Sequence, residues 1–144
     1  MSPGASDLCY SDLKTGMANA VFTEIAERLE ALAARGESSA IDLRSLPLTE
    51  ADLMELRDLL GEGEVRAELE VVGRTSVRET SYPGAWWIRH YGAGGKVATE
   101  EIAITPIPEI LASQAEDIAA AVERIHLDLA EASRDENAKE ASNG

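Results

Sequence analysis

The chain has 144 residues and a formal net charge of −14 at pH 7, with 27 acidic against 13 basic side chains. Because nucleic-acid backbones and anionic membranes are themselves negatively charged, this acidic excess argues against both as partners. The single cysteine, Cys9, cannot form an internal disulfide, and an iron–sulfur cluster normally needs about four thiolates. The sequence therefore predicts no cofactor and no metal site.

Composition predicts one domain with a polar segment at each end. Residues 1–16 lack the basic start and apolar middle of a secretory signal, and we expect them to be flexible. Residues 17–130 are expected to form a single folded domain, which this length allows without disulfides or metals. Residues 131–144 form an acidic tail without periodic apolar residues, which predicts disorder. No apolar run is long enough to cross a bilayer, and the protein is predicted to be cytoplasmic.

Two helices are predicted in the first half of the chain. Apolar residues recur at helical spacing over residues 17–35, and Gly36 supplies a stop. A second helix follows Thr49, the N-cap candidate, with Asp52 as the acid of a capping box. Gly61 is expected to end this helix.

A twofold alternation of apolar and polar residues then predicts strands. Four are expected, over residues 65–71, 75–81, 85–91 and 97–105. Their short connections predict an antiparallel meander, because parallel neighbours need longer crossovers. The alternation of Ile41, Leu43 and Leu46 before the second helix fits either an edge strand or an extended link.

A third helix is predicted from the segment PIPEIL. Pro108 suits the first helical turn and Glu109 complements its positive end, with an apolar face continuing to about Ala130. The predicted class is therefore α+β, with a four-stranded antiparallel meander and helices packed on one face. The other face would remain open unless a second copy or another protein covers it.

Aromatic residues are concentrated in the hairpin ETSYPGAWWIRHY, residues 79–91, which holds four of the six in the chain. One face of strand 85–91 carries Trp86, Ile88 and His90, and the other carries Trp87, Arg89 and Tyr91. Because Ile88 tolerates water least, we assign its face to the core and predict that the face of Trp87 points outward. Trp, Arg and Tyr are enriched at binding hot spots, which predicts a binding surface. The alternative is that they pack beneath a helix or loop of the same chain.

Charge is also unevenly distributed around this hairpin. Residues 49–70 carry eight acidic residues against two arginines, whereas residues 73–96 carry four basic residues against Glu79 alone. In the GEGEV loop, Glu62 and Glu64 would repel a phosphate, so the loop is either a helix stop with a flexible connection or a contact for a cationic partner. No spacing suggests a nucleophile with its base, and no enzymatic activity is expected.

Three segments together resemble the HupH/HyaF hydrogenase expression proteins. They are Gly61–Val65 (GEGEV), Glu79-Thr80 followed by Pro83–Trp86, and Ile107–Leu111 (IPEIL). The resemblance covers about residues 41–125. It implies an accessory protein in [NiFe]-hydrogenase maturation that acts on the iron–sulfur small subunit or another maturation factor. It supplies no catalytic residues.

The resemblance and the charge pattern together predict a chaperone-like client-binding surface. Its predicted residues are Glu62, Glu64, Glu79, Trp87, Arg89 and Tyr91. Family members are typically longer, with two related regions, so this chain is expected either to self-associate or to have a diverged function. Two other hypotheses stay open: a small enzyme or ligand-binding domain with Glu79, Arg89 and His90 lining a pocket, and a homo-oligomeric scaffold.

Overall fold

The structure, a computed structural model, describes residues 12–70 and 72–143. Cys9, Val71 and most of the predicted flexible segment 1–16 lie outside the described residues. The chain divides into two compact units, Met1–Pro108 and Glu109–Gly144. The first unit contains, in chain order, α1 (Met17–Arg35), β1 (Ser39–Asp42), a 3-10 turn (Leu43–Ser45), α2 (Glu50–Leu60), β2 (Arg66–Glu70), β3 (Arg74–Glu79), β4 (Ala85–Tyr91), a 3-10 turn (Ala93–Gly95) and β5 (Val97–Ile104).

The strands form one antiparallel sheet in the order β1-β5-β4-β3-β2. From β2 to β5 this is the predicted meander, and the α+β class is confirmed. The predicted number of four strands is wrong, because β1 adds a fifth strand at the edge beside β5. The alternation around Ile41 fits a strand and a link equally well, and only the distant pairing of Ile41 with Ile102 distinguishes them.

Helix α1 has the predicted bounds. Its inward stripe includes Val21 and Ile25, each 2% exposed, which pack in the core. Gly36 ends the helix with φ of 69°, a left-handed conformation that glycine adopts without strain, and its N–H bonds to the carbonyl of Leu32 at 2.9 Å.

Helix α2 begins with the predicted capping box. The Thr49 hydroxyl accepts a hydrogen bond from the Asp52 backbone N–H at 3.0 Å, and the Asp52 carboxylate accepts one from the Thr49 N–H at 3.1 Å. Thr15 adds two donors to the same carboxylate, its backbone N–H at 2.8 Å and its hydroxyl at 2.6 Å. Thr15, which lies in the segment predicted to be flexible, is thus tied to the start of α2.

These hydrogen bonds determine the charge state of the buried Asp52. Burial alone would raise the pKa of Asp52, but the donors of Thr15 and Thr49 outweigh that effect and hold the pKa below its ordinary value. The side chain is therefore a stable anion inside the protein.

The hydrophobic core lies between the sheet and the helices α1 and α2. The sheet contributes Ile41, Ala85, Trp87, Ile102 and Ile104, and the helices contribute Ala18, Val21, Ile25, Leu56 and Leu60. Trp87 lies opposite Ile102 on β5, and Ile102 lies opposite Ile41 on β1, so the three form a row across the sheet beneath the helices. The face of Trp87 is thus the one covered by these helices, and the predicted assignment of the two faces of β4 is wrong.

The second unit contains a 3-10 turn (Glu109–Leu111) and α3 (Ala115–Asn143). The predicted helix start at Pro108 is wrong, because the chain makes only this short turn before α3 begins at Ala115. Glu116 and Asp117 then complement the positive end of the helix dipole. The helix continues to Asn143, where a disordered tail was expected after residue 130. None of the helices in the described ranges is apolar and long enough to cross a membrane.

Candidate functional site

The GEGEV loop, residues 61–65, lies against the end of β3. Gly61 has φ of 65° and ends α2, as predicted, with its N–H bonded to the carbonyl of Arg57 at 2.9 Å. At Gly63 a Cβ atom would lie 2.5 Å from both the Thr80 carbonyl oxygen and the Glu79 Oε1 atom. Such a distance is far below van der Waals contact, so the close approach of the two backbones requires glycine at position 63.

Hydrogen bonds fix the loop in this position. The Gly63 N–H bonds to the Glu79 carbonyl at 2.8 Å, and the Glu79 N–H bonds to the Val65 carbonyl at 2.9 Å. The Glu79 carboxylate also accepts from the Glu64 N–H at 3.3 Å. Two of the motif segments, GEGEV and Glu79-Thr80, therefore form one structural unit, and the loop is not the flexible connection expected from its glycines.

The two acidic side chains of the loop differ in their partners. The Glu62 carboxylate forms ion pairs with Arg66 at 3.1 Å and with Arg78. Glu64 is exposed and uses its backbone, not its carboxylate, to hold the loop. The cationic partner expected for Glu62 is thus supplied by the chain itself, and the Glu64 carboxylate stays accessible.

Both indoles of the aromatic hairpin are buried. Trp87 is 6% exposed within the core cluster, and Trp86, on the opposite face of β4, is 5% exposed and donates from Nε1 to the Thr105 carbonyl at 3.1 Å. The prediction that Trp87 points outward is wrong, because hydrophobic residues line both faces of this central strand and Ile88 does not mark the face beneath the helices. The alternative of packing beneath the chain's own helices holds for Trp87.

A buried carboxylate on β5 binds both Trp87 and Arg89, two of the residues that were predicted to point outward. Glu100 is 3% exposed, accepts from Trp87 Nε1 at 2.8 Å and pairs with Arg89 Nε. Burial works against the charge of Arg89, but the hydrogen bond and charge of Glu100 more than compensate and hold the pKa of Arg89 above its ordinary value. The sequence analysis missed Glu100, whose position opposite Arg89 becomes visible only once the register of β4 and β5 is known.

An arginine-lined recess opens beside Trp87. Its lining includes the three arginines Arg57, Arg78 and Arg89 and the carboxylate of Glu79, together with Ser76 and Trp87. The guanidinium carbons of Arg57 and Arg89 each lie 5.6 Å from the centroid of the Trp87 ring, within the range of cation–π attraction. The enclosed space is about 10 Å³, roughly the room of one water molecule. We call this feature the arginine recess.

The structure does not bring the remaining predicted residues into the recess. Tyr91, the last residue of β4, interacts with the Arg89 side chain, but it stacks with Arg74 at 4.6 Å and lines an open groove of about 420 Å³ between loops, not the recess. His90 lies on the other face of the sheet and bonds through Nδ1 to the Thr75 hydroxyl at 2.8 Å. Of the pocket residues expected for an enzyme or ligand-binding domain, only Glu79 and Arg89 line one cavity.

The polar side chains that line the recess are guanidinium, carboxylate and hydroxyl groups. Within residues 12–70 and 72–143, no three His, Cys, Asp or Glu side chains are grouped so that they could hold a metal ion. The fold and the recess therefore define a small α+β domain whose accessible polar groups surround a shallow cationic depression at the edge of its helical layer.

Sequence comparison identifies the family. Residues 16–131 match the family model described as HupH hydrogenase expression protein, C-terminal conserved region, and the chain belongs to this family. The resemblance inferred from the three motifs is thereby confirmed. The match spans the whole of the segment 17–130 predicted as the folded domain.

The chain is similar to curated proteins and to a solved structure. It is 27% identical over 118 residues to the hydrogenase expression/formation protein HoxQ of Azotobacter vinelandii, covering 79% of this chain and 42% of that protein. It is 32% identical over 115 residues to the hydrogenase expression/formation protein HupH of Rhodobacter capsulatus, covering 78% and 42%. The structure of the hydrogenase expression protein HupH from Thiobacillus denitrificans is 43% identical, with a TM-score of 0.79, covering 83% of this chain and 99% of that one. The chain thus spans about two-fifths of the length of these curated relatives.

Proposed function

We propose that the protein is a non-enzymatic accessory factor in [NiFe]-hydrogenase maturation that binds a client, the iron–sulfur small subunit being favoured. Family membership supports the link to hydrogenase expression, and the relatives carry the description expression/formation protein. Binding without catalysis is supported by the recess, which has room for about one water molecule and not for a substrate.

The observation that carries the proposed binding role is a rigid, charged rim beside the arginine recess. We define the rim as Glu62, Glu64, Arg66 and Arg78. The side chain of Glu62 is 53% exposed and that of Arg66 is 66% exposed, while the backbone beneath them is held by the loop hydrogen bonds. Charges fixed in this way lose little conformational freedom when a partner docks, which favours specific recognition.

The six predicted client-binding residues take different parts in this proposal. Glu62 and Glu64 contact the client directly at the rim. Glu79 positions the loop, while Trp87 and Arg89 form the floor of the recess. Tyr91 lines the neighbouring groove, where its side chain interacts with Arg89, and stays a secondary contact.

A capture experiment tests the proposal. The purified chain is immobilised and its binding to the iron–sulfur small subunit is measured at several salt concentrations. The double variant Glu62→Gln and Glu64→Gln should bind about three- to tenfold more weakly, since rim charges contribute modestly and are screened by salt. Circular dichroism verifies that the variant is folded.

A matched control removes the same charge elsewhere. Glu27 and Glu30 lie exposed on α1, so the variant Glu27→Gln and Glu30→Gln has the same net charge but an intact rim. It should bind like the wild type. Equal weakening by both double variants would show that overall charge and not the rim sets the affinity, and no capture by the wild type would contradict the proposed client.

The homo-oligomeric scaffold stays a second prediction. Light scattering at micromolar concentration measures this directly, and a monomer there contradicts an obligate dimer.

A further inference from the structure

Around the arginine recess of this acidic protein, arginine side chains outnumber the carboxylates with which they form ion pairs. Five guanidinium groups lie in or beside the recess: Arg44, Arg57, Arg66, Arg78 and Arg89. In the described part of the chain, the ion pairs of these groups all go to two carboxylates, Glu62 and Glu100. Within the described residues, four of these cations therefore share two anionic partners and Arg57 has none, while Glu79 is the carboxylate that lines the recess itself and the whole chain carries −14.

Of the five arginines, Arg57 is the one without a carboxylate partner among the described residues. It is half-buried in the last turn of α2, and the contact that holds it is the ring of Trp87. Across residues 12–70 and 72–143 it forms no ion pair. A cation–π contact leaves the N–H donors of a guanidinium free of conventional acceptors, so Arg57 retains donors for a ligand.

The surroundings of the recess strengthen an electrostatic contact made there. Trp87 and Glu100 beneath it are almost fully buried, which lowers the local dielectric constant and reduces screening. Ser76, on the β3 strand beside Arg89, brings a hydroxyl that can donate a neutral hydrogen bond.

We propose that the arginine recess binds a carboxylate group presented by a partner polypeptide. Arg57 and Arg78 supply the charged donors, and Ser76 supplies the neutral one. The proposal deepens the proposed function and rests on it for the identity of the partner as a hydrogenase component.

Size and charge favour a carboxylate over larger anions. The space of about 10 Å³ has the room of one water molecule, so one oxygen atom of a carboxylate fits at the mouth of the recess and a larger anion does not enter. Glu62 and Glu64 on the rim, together with the net charge of the chain, repel nucleic acids and other polyanions. A planar, singly charged carboxylate matches the guanidinium fork and adds little repulsion.

Nuclear magnetic resonance of the two indole N–H groups tests the site in the intact chain. The Trp87 Nε1–H lies at the recess on Glu100, and the Trp86 Nε1–H bonds to Thr105 on the other face and serves as an internal control. N-acetylglycine represents a chain-terminal carboxylate, N-acetylglutamate α-amide represents an acidic side chain, and N-acetylglycinamide is the neutral control. We expect either acid to shift the Trp87 signal alone, and the acid with the larger effect identifies the source of the carboxylate.

Arginine variants separate the recess from general charge effects. Arg57→Gln should weaken the response to the acid at least about tenfold, the size of one charge-assisted hydrogen bond. Arg35→Gln removes the same charge from an exposed arginine of α1 and should leave the response unchanged. Arg78→Gln is the second variant in case Arg57→Gln perturbs the packing on Trp87, which the remaining amide signals would reveal.

Two results would overturn the carboxylate site. One is an equal Trp87 shift from the acids and from the neutral amide, and the other is an undiminished shift in both arginine variants. Capture of the small subunit is measured separately on the same proteins. Intact capture without a carboxylate response would remove this site and leave the proposed accessory function in place.

Discussion

Among the described residues of the first unit, two carboxylates are buried, and the protein holds them in different ways. Asp52 at the start of α2 is fully buried and is satisfied by neutral donors of Thr15 and Thr49. Glu100 on β5 is 3% exposed and is satisfied by the indole of Trp87 and the guanidinium of Arg89. Within the part of the chain that the structure describes, the first arrangement is an anion without a counter-ion, and the second is an ion pair.

The difference indicates what each arrangement can do. The cap at Asp52 is closed, because hydrogen bonds within the chain engage both of its oxygens. Glu100 lies at the edge of a cluster in which arginines outnumber carboxylates, so the region around it can still accept an anion. We therefore expect the cap to contribute to stability alone, and the region around Glu100 to contribute to stability and to binding.

The largest expected effect comes from removing Glu100. Glu100→Ala leaves Arg89 nearly buried without its partner and Trp87 Nε1 without its acceptor, which should lower the free energy of unfolding by about 3–5 kcal/mol. Chemical denaturation measures the loss. Glu101→Ala, the next residue on β5 and on the other face, should cost less than about 1 kcal/mol. Equal losses in the two variants would contradict the role given to Glu100.

A double substitution sharpens this result. Replacing both members of the pair, Glu100→Leu with Arg89→Leu, removes the uncompensated charge and should recover a large part of the stability lost in Glu100→Ala. Chemical denaturation measures the recovery, and the proposed carboxylate donors Arg57, Arg78 and Ser76 are all retained in the double variant.

The next effect concerns the loop that borders the recess. Gly63→Ala forces a Cβ against the Thr80 carbonyl and should destabilise the protein by about 1–3 kcal/mol. Gly92→Ala is the control at the other end of β4, where the nearest atom, Ala98 Cβ, would lie at an ordinary 3.5 Å. Thermal unfolding should show a clearly lower midpoint for the first variant alone, and a wild-type midpoint for Gly63→Ala would rule out a tightly docked loop.

A smaller effect is expected at the cap. Asp52→Ala removes the reciprocal capping bond to Thr49 and the acceptor of Thr15, at a cost of about 0.5–2 kcal/mol at neutral pH. Asp58→Ala, in the same helix and exposed, should cost little. The cap variant should bind carboxylates like the wild type. A weakened response of the Trp87 indole signal would show that the cap also affects binding at the recess.

The sequence predicts those features whose partners are near in the chain. The bounds of α1, the Thr49–Asp52 capping box and the meander all depend on residues a few positions apart, and each is confirmed. The orientation of Trp87 could not be predicted in this way, because apolar residues occupy both faces of β4. Ile88, on the face away from α1 and α2, is itself only 3% exposed.

The residues of the site could not be predicted without the register of the sheet and the placement of α2 on it. Glu100 becomes the partner of Arg89 only when β5 is aligned on β4, and Arg57 reaches Trp87 only when α2 is placed on the sheet. Charge counting located the basic hairpin correctly but not the excess of arginines around one indole. The close docking of Gly63 on Thr80 likewise depends on the folded backbone.

The smallest expected effect is the pH dependence contributed by Asp52. Its pKa in the folded protein lies below the ordinary value of 3.8, so between these two pKa values the unfolded chain binds the proton more readily than the folded one. The stabilisation is therefore fully present above about pH 5 and is lost as the pH falls through the folded pKa. In Asp52→Asn this part of the acid dependence should be absent, whereas Asp58→Asn should retain it. Denaturation midpoints measured between about pH 2.5 and 6 test the difference, and parallel curves for the wild type and Asp52→Asn would show that the donors of Thr15 and Thr49 do not stabilise the charged form.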